Sequence, residues 1–156
     1  MLACTSSGGA GKPSYPLHEL LALPEAERAT RSVELSDVRC DAAWRKANPV
    51  AADGLLATTK ARATTGELEA GHEDGFRLQL EARAGHDTWD RLASLAMPVY
   101  LCGGLHDGIA PPENQHSMAR QIPNAELDLF DGGHLFLMQD RSAYPKISSF
   151  LRGSQG

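Results

Sequence analysis

The chain has 156 residues, 42% of them hydrophobic and 22% charged, the balance expected of one ordinary globular domain. With 20 acidic against 15 basic side chains its net charge is -5, which speaks against a nucleic-acid surface, because phosphate binding needs a clustered Lys/Arg excess. No apolar run of about 18 residues occurs, so no membrane partner is expected, and Met1–Thr5 lacks the charged-then-apolar layout of a secretory signal.

The three cysteines, Cys4, Cys40 and Cys102, are far apart and form no Cys-x-x-Cys. A disulfide framework and a thiolate metal site are therefore not expected, and the thiols read as reduced, in a cytoplasmic protein.

Residues 1–4 read as the end of a buried strand that Met1 cuts short. Thr5–Ser14, with Ser6-Ser7-Gly8-Gly9 and Pro13, is a loop by composition. Residues 15–96 read as helical pieces. Leu17, Leu20 and Leu21 recur at helical spacing up to Pro24. Ser36 is placed as the N-cap of a helix through Ala42 and Trp44 that Pro49 stops. Asp53 is placed as the cap of the next, with Leu55 and Leu56. Phe76 and Leu80 mark another helical face, Trp89, Leu92 and Leu95 a short last one. Trp44, Phe76 and Trp89 are expected in the interior of this helical segment.

The pattern changes at Met97-Pro98. Val99-Tyr100-Leu101-Cys102 suits a parallel strand buried on both faces, and Gly103-Gly104 ends it. Pro111-Pro112-Glu113 suits a first helical turn, since proline lacks only an N–H that would be unpaired there. Met118, Ala119 and Ile122 can face the sheet. Glu126–Phe130 alternates as a half-exposed strand, Asp131-Gly132-Gly133-His134 is a tight turn, and Ser142–Leu151 reads as a closing helix with Pro145 in its first turn. This is a parallel βαβα unit with a right-handed crossover. Ligands in such sheets sit outside the carboxyl ends of the strands, where loops 103–110 and 131–137 carry Asp107 and His134. A carboxylate and an imidazole can meet there as a general acid–base pair. The pair lacks a nucleophile.

The segment Met97–Pro111, with proline before an apolar strand and then Gly104, Asp107 and Pro111, resembles the penultimate-strand segment of the α/β-hydrolase family. Ile122-Pro123-Asn124 and Gly132-Gly133-His134 resemble the helix end and histidine loop that follow it. The resemblance implies Asp107 as triad acid and His134 as triad base, with no metal and no organic cofactor. It divides the chain into 1–14 (end of a core strand and loop), 15–96 (helical cap or lid) and 97–156 (C-terminal α/β core). The fold class expected is α/β, a short parallel sheet of about three strands flanked by helices. The family's nucleophile elbow, Gly-x-Ser-x-Gly, does not occur in this sequence, and Ser6-Ser7-Gly8-Gly9 follows the wrong strand to replace it.

The expectation is therefore the C-terminal portion of an α/β-hydrolase of a small ester or lactone, inactive alone for want of a nucleophile. A non-catalytic interaction module or remnant is the alternative. Sister chemistries of the fold (dehalogenase, epoxide hydrolase, C–C hydrolase, haloperoxidase) are others. The partners expected are a small acyl substrate and either a second copy or a missing N-terminal half. His106 and Asp131 are rival site residues, read as a solvated histidine and a turn-shaping acid. His86, Asp87 and Asp90 are read as a helix cap in preference to a metal site.

Overall fold

The structure, a computed structural model, describes residues 1–64 and 70–153, with the side chains of residues 62–64 and 73 outside the description. Its sheet has the order β1–β2–β3, all parallel, with β1 at Leu2–Ala3, β2 at Val99–Gly104 and β3 at Ala125–Phe130. The register pairs Leu2 with Leu101 and Val99 with Ala125. This is the α/β architecture that the sequence predicts.

Strand β2 lies in the middle and every one of its residues is buried. Its side chains divide by the two-residue period of a strand. Val99 and Leu101 meet Leu92, Met118 and Ile122 on one face. Tyr100 and Cys102 meet Phe130, Phe136, Ala143 and Ile147 on the other. The first face is covered by the 3-10 turn at Trp89–Ser94 and by helix Pro112–Gln121, the second by the helices Phe136–Gln139 and Ala143–Gly153. In β3 only Glu126 is exposed: Leu127, Asp128 and Leu129 are all half-buried and Phe130 is buried, so burial does not follow the alternation expected of the sequence.

Between β1 and β2 the described chain is helical. In chain order it holds 3-10 turns at Gly9–Gly11 and Leu17–Ala22, then α1 (Glu25–Ser36), α2 (Ala42–Ala47), α3 (Pro49–Thr64) and α4 (His72–Ala84). The later helices are α5 (Pro112–Gln121), α6 (Phe136–Gln139) and α7 (Ala143–Gly153). Two expected caps fall elsewhere. Ser36 ends α1, and α2 is capped by Asp41, whose carboxylate accepts the Trp44 amide at 2.7 Å. Asp53 lies inside α3, because Pro49 both stops α2 and opens α3 at the position where proline costs no hydrogen bond. Phe76 is 45% exposed and does not join the interior, whereas Leu80 is buried. The run Leu17–Ala22 winds as 3-10, with Leu20 buried and Leu21 turned outward.

The end of β2 must pass close to the turn after β3. A Cβ on Gly104 would lie against the carbonyl oxygens of Gly132 and Gly133. Gly104→Ala should therefore push the two loops apart and cost about 1–3 kcal/mol, the usual cost of overpacking. Urea denaturation checks it: the midpoint should fall with an unchanged slope.

Candidate active site

Strand β2 delivers Asp107 and β3 delivers His134 to the same rim. Asp107 is 2% exposed. One carboxylate oxygen accepts the backbone N–H groups of Ile109 and Ala110 at 2.8 and 2.9 Å. The other lies 2.9 Å from His134 Nδ1. An ionised carboxylate only accepts, so Nδ1–H donates to it and Nε2 keeps its lone pair for a proton. Two amides thus fix the acid, and the acid fixes the imidazole. His134 is half-buried and lines a cavity of about 650 Å³ between the rim and the helical segment.

The end of α1 ties both loops together. The last carbonyls of a helix have no partner within it. Here Leu35 O accepts Gly108 N–H at 2.9 Å and Ser36 O accepts His134 N–H at 2.6 Å. Val38 N–H returns to His106 O at 2.9 Å. A side-chain relay adds to this. Asp37, 6% exposed, accepts from Arg39 Nη2 at 2.7 Å and from Gln139 Nε2 at 3.0 Å. Gln139 Oε1 in turn accepts Gly133 N–H at 2.7 Å, next to His134. Burial pushes the Asp37 carboxyl upward, but hydrogen bonds from the Arg39 side chain and backbone, the Arg39 charge and the Gln139 amide outweigh it. The group sits below its ordinary value near 3.8. The sequence reading missed Asp37 and Gln139. The only local signal was a carboxylate just past a helix end, because their contact spans 102 positions.

Cys4 was also missed as a site residue. It follows β1 with φ 44°, a left-handed conformation that is uncommon for a residue bearing a Cβ. Its backbone stays in the ladder, donating to Cys102 O at 3.0 Å, while its thiol points to His134 O at 3.4 Å. Ligating atoms of Cys4, Asp107 and His134 lie within 4.8 Å of one another, so these three could in principle hold a cation. The surroundings favour a protonated thiol instead. Burial first, and then the Asp107 charge, push it up to about 12. Both Asp107 oxygens are already engaged. For the same reason Cys4 is no activated nucleophile, which needs a lowered thiol pKa.

The rival residues form other groups. His106 Nε2 lies 3.1 Å from Asp131 Oδ1, which also accepts from Arg39 Nη1 at 2.8 Å. His106 is thus tied to a carboxylate and not merely solvated. Asp87 accepts Trp89 N–H at 3.0 Å, although the N-cap of that 3-10 turn is Thr88 and not Asp87. Ser7 is 1% exposed, and its hydroxyl bonds to Gly8 O. Ser6 bonds to Ser14 at 2.8 Å. Trp44 and Trp89 are half-buried, and Trp89 packs on the core under the sheet. Phe136 is buried beneath the histidine loop, whereas Leu135 and Met138 are exposed.

A short parallel sheet with an acid after one strand and a histidine after the next, beneath a helical segment, is an arrangement of the α/β-hydrolase fold. The comparisons agree. The chain superposes on a hydrolase from Oleispira antarctica with a TM-score of 0.60 at 18% identity, over 96% of this chain and 54% of that one. It is 33% identical over 87 residues to a poly(3-hydroxyalkanoate) depolymerase of Ectopseudomonas oleovorans, a match covering 55% of this chain and 31% of the depolymerase. The chain therefore spans about a third of that curated relative and about half of the structural one. No protein-family model matches the chain. Among the described residues no helix is long and apolar enough to cross a membrane.

The depressed Asp37 carboxyl sets a pH dependence. Its contribution is present above the unfolded value near 3.8 and is lost as pH falls through the lower folded value. Asp37→Ala should destabilise the fold by about 1.5–3 kcal/mol at neutral pH, the range for hydrogen bonds to a charged group. The gap between wild type and variant should close progressively below pH 3.8. Denaturant titrations at neutral and acidic pH check both the size and the sign.

Proposed function

We propose that the chain forms the acid–base half of a hydrolase acting on a small ester or lactone, with Asp107 as acid and His134 as base of a Ser–Asp–His triad. The observation that carries this is the pinned Asp107–His134 pair at the mouth of a cavity. In this scheme a serine hydroxyl supplied from outside these 156 residues attacks the substrate carbonyl. His134 Nε2 takes its proton and then gives it to the leaving alcohol. The acyl-enzyme formed is hydrolysed by water, which His134 deprotonates in the same way. Asp107 keeps the imidazole in the Nδ1–H tautomer and stabilises it when protonated. The relatives support a hydrolytic reading: one is a depolymerase of poly(3-hydroxyalkanoate), whose units are joined by esters. Three free thiols support a reducing, cytoplasmic setting.

The missing elbow gives the non-catalytic reading its weight, and both readings share a physical requirement. In the described structure β1 pairs on one side only, and an open strand edge accepts another chain. We assign to that edge either a second copy or the segment bearing the nucleophile.

Loss of a triad nucleophile costs roughly a millionfold in turnover. The 156-residue chain alone should leave p-nitrophenyl butyrate unhydrolysed above the solvent rate. Turnover that His134→Ala abolishes would refute the idea that the nucleophile lies elsewhere. A protein joining this chain to a Gly-x-Ser-x-Gly segment encoded upstream should hydrolyse the ester and lose roughly the same factor on His134→Ala. Activity indifferent to that substitution would refute the triad.

A further inference from the structure

The cavity beside His134 has an uneven electrostatic lining. The protein as a whole is acidic, with a net charge of -5. Yet the cavity is lined by Arg83, His18, His86 and His134, and among the described residues no Asp or Glu lines it. Arg83 and His86 come from the end of α4 and the residues just after it, and His18 from the 3-10 turn that α4 packs upon. They come from the helical segment, whereas His134 and Ile109 come from the strand-end loops. Arg83 is half-buried. Among the described residues it makes no ion pair, and its guanidinium donates no hydrogen bond. The nearest acid in sequence, Glu81, pairs with Arg77 at 2.6 Å, and Asp87 accepts the Trp89 amide.

A guanidinium in a recess without a carboxylate keeps its five donors available in a planar fork that matches an oxyanion pair. The apolar lining from Leu17, Leu80, Ala84 and Ile109 suits a short carbon chain between the two ends. We infer that this cavity takes an anionic acyl compound, an ester or lactone whose far end is a free carboxylate held by Arg83, with His18 and His86 beside it. The inference rests on the reading of His134 as the hydrolytic base: the reacting carbonyl lies toward His134 and the carboxylate toward α4. A neutral acyl chain would leave the guanidinium facing apolar atoms, so the site selects for charge as well as for size.

The test compares hexanoate with its neutral isostere hexanamide on the 156-residue chain, following the His134 ring resonances by NMR titration. Hexanoate should bind about tenfold more tightly than hexanamide, the factor expected when a charge-assisted hydrogen bond replaces a neutral one. Arg83→Gln should abolish that preference without altering hexanamide binding, and Arg83→Lys, which retains the charge, should keep part of it. Equal affinities for the two probes, or a preference that survives Arg83→Gln, would overturn the inference while leaving His134 in the site. Failure of either probe to shift His134 would overturn the placement of the substrate cavity itself, and with it the proposed function.

Discussion

The whole rim depends on the carboxyl end of α1. Helix ends leave carbonyls without partners, and elsewhere water or a capping residue takes them. Here two of them are spent on the loops that carry the acid and the base, through Gly108 and His134. The geometry of a helix places successive carbonyls at fixed directions, so the two loops inherit a fixed separation. Backbone bonds of this kind do not rely on side-chain rotamers. The Asp107–His134 distance of 2.9 Å is therefore held by the main chain on three sides: the β2–β3 ladder, the Asp107 oxygen gripped by two amides, and α1. The helical segment is thus part of the scaffold that holds the Asp107–His134 pair.

Sequence patterning was most informative where structure is local and periodic. The buried run Val99–Cys102, the prolines opening α5 and the strand at Glu126–Phe130 each followed from a strand or helix period, and together they imply the parallel unit. The placement of Asp107 and His134 on one rim followed from topology alone. The helical segment was read less well. Its caps were misplaced at Ser36 and Asp53 because serine and aspartate also favour many non-cap positions, and the real boundaries were set by Asp41 and Pro49. Phe76 shows the limit of reading burial from residue type: it is large and apolar, yet nearly half exposed. The relay from Arg39 through Asp37 and Gln139 to Gly133 was not legible at all. It joins positions 102 apart and uses ordinary polar residues in no motif.

Cys4 illustrates how a chemically suggestive residue is decided by its surroundings. It is close to a histidine and a carboxylate, the neighbours of a cysteine nucleophile. Such a nucleophile needs the histidine to accept its proton and a positive field to stabilise the thiolate. Here the carboxylate faces the thiol, burial disfavours charge, and the thiol donates toward the His134 carbonyl. Each of these effects acts in the same direction, toward the neutral form. The thiol serves as a small half-buried donor beneath the histidine loop, and the strained backbone at Cys4 is the geometry that brings it there.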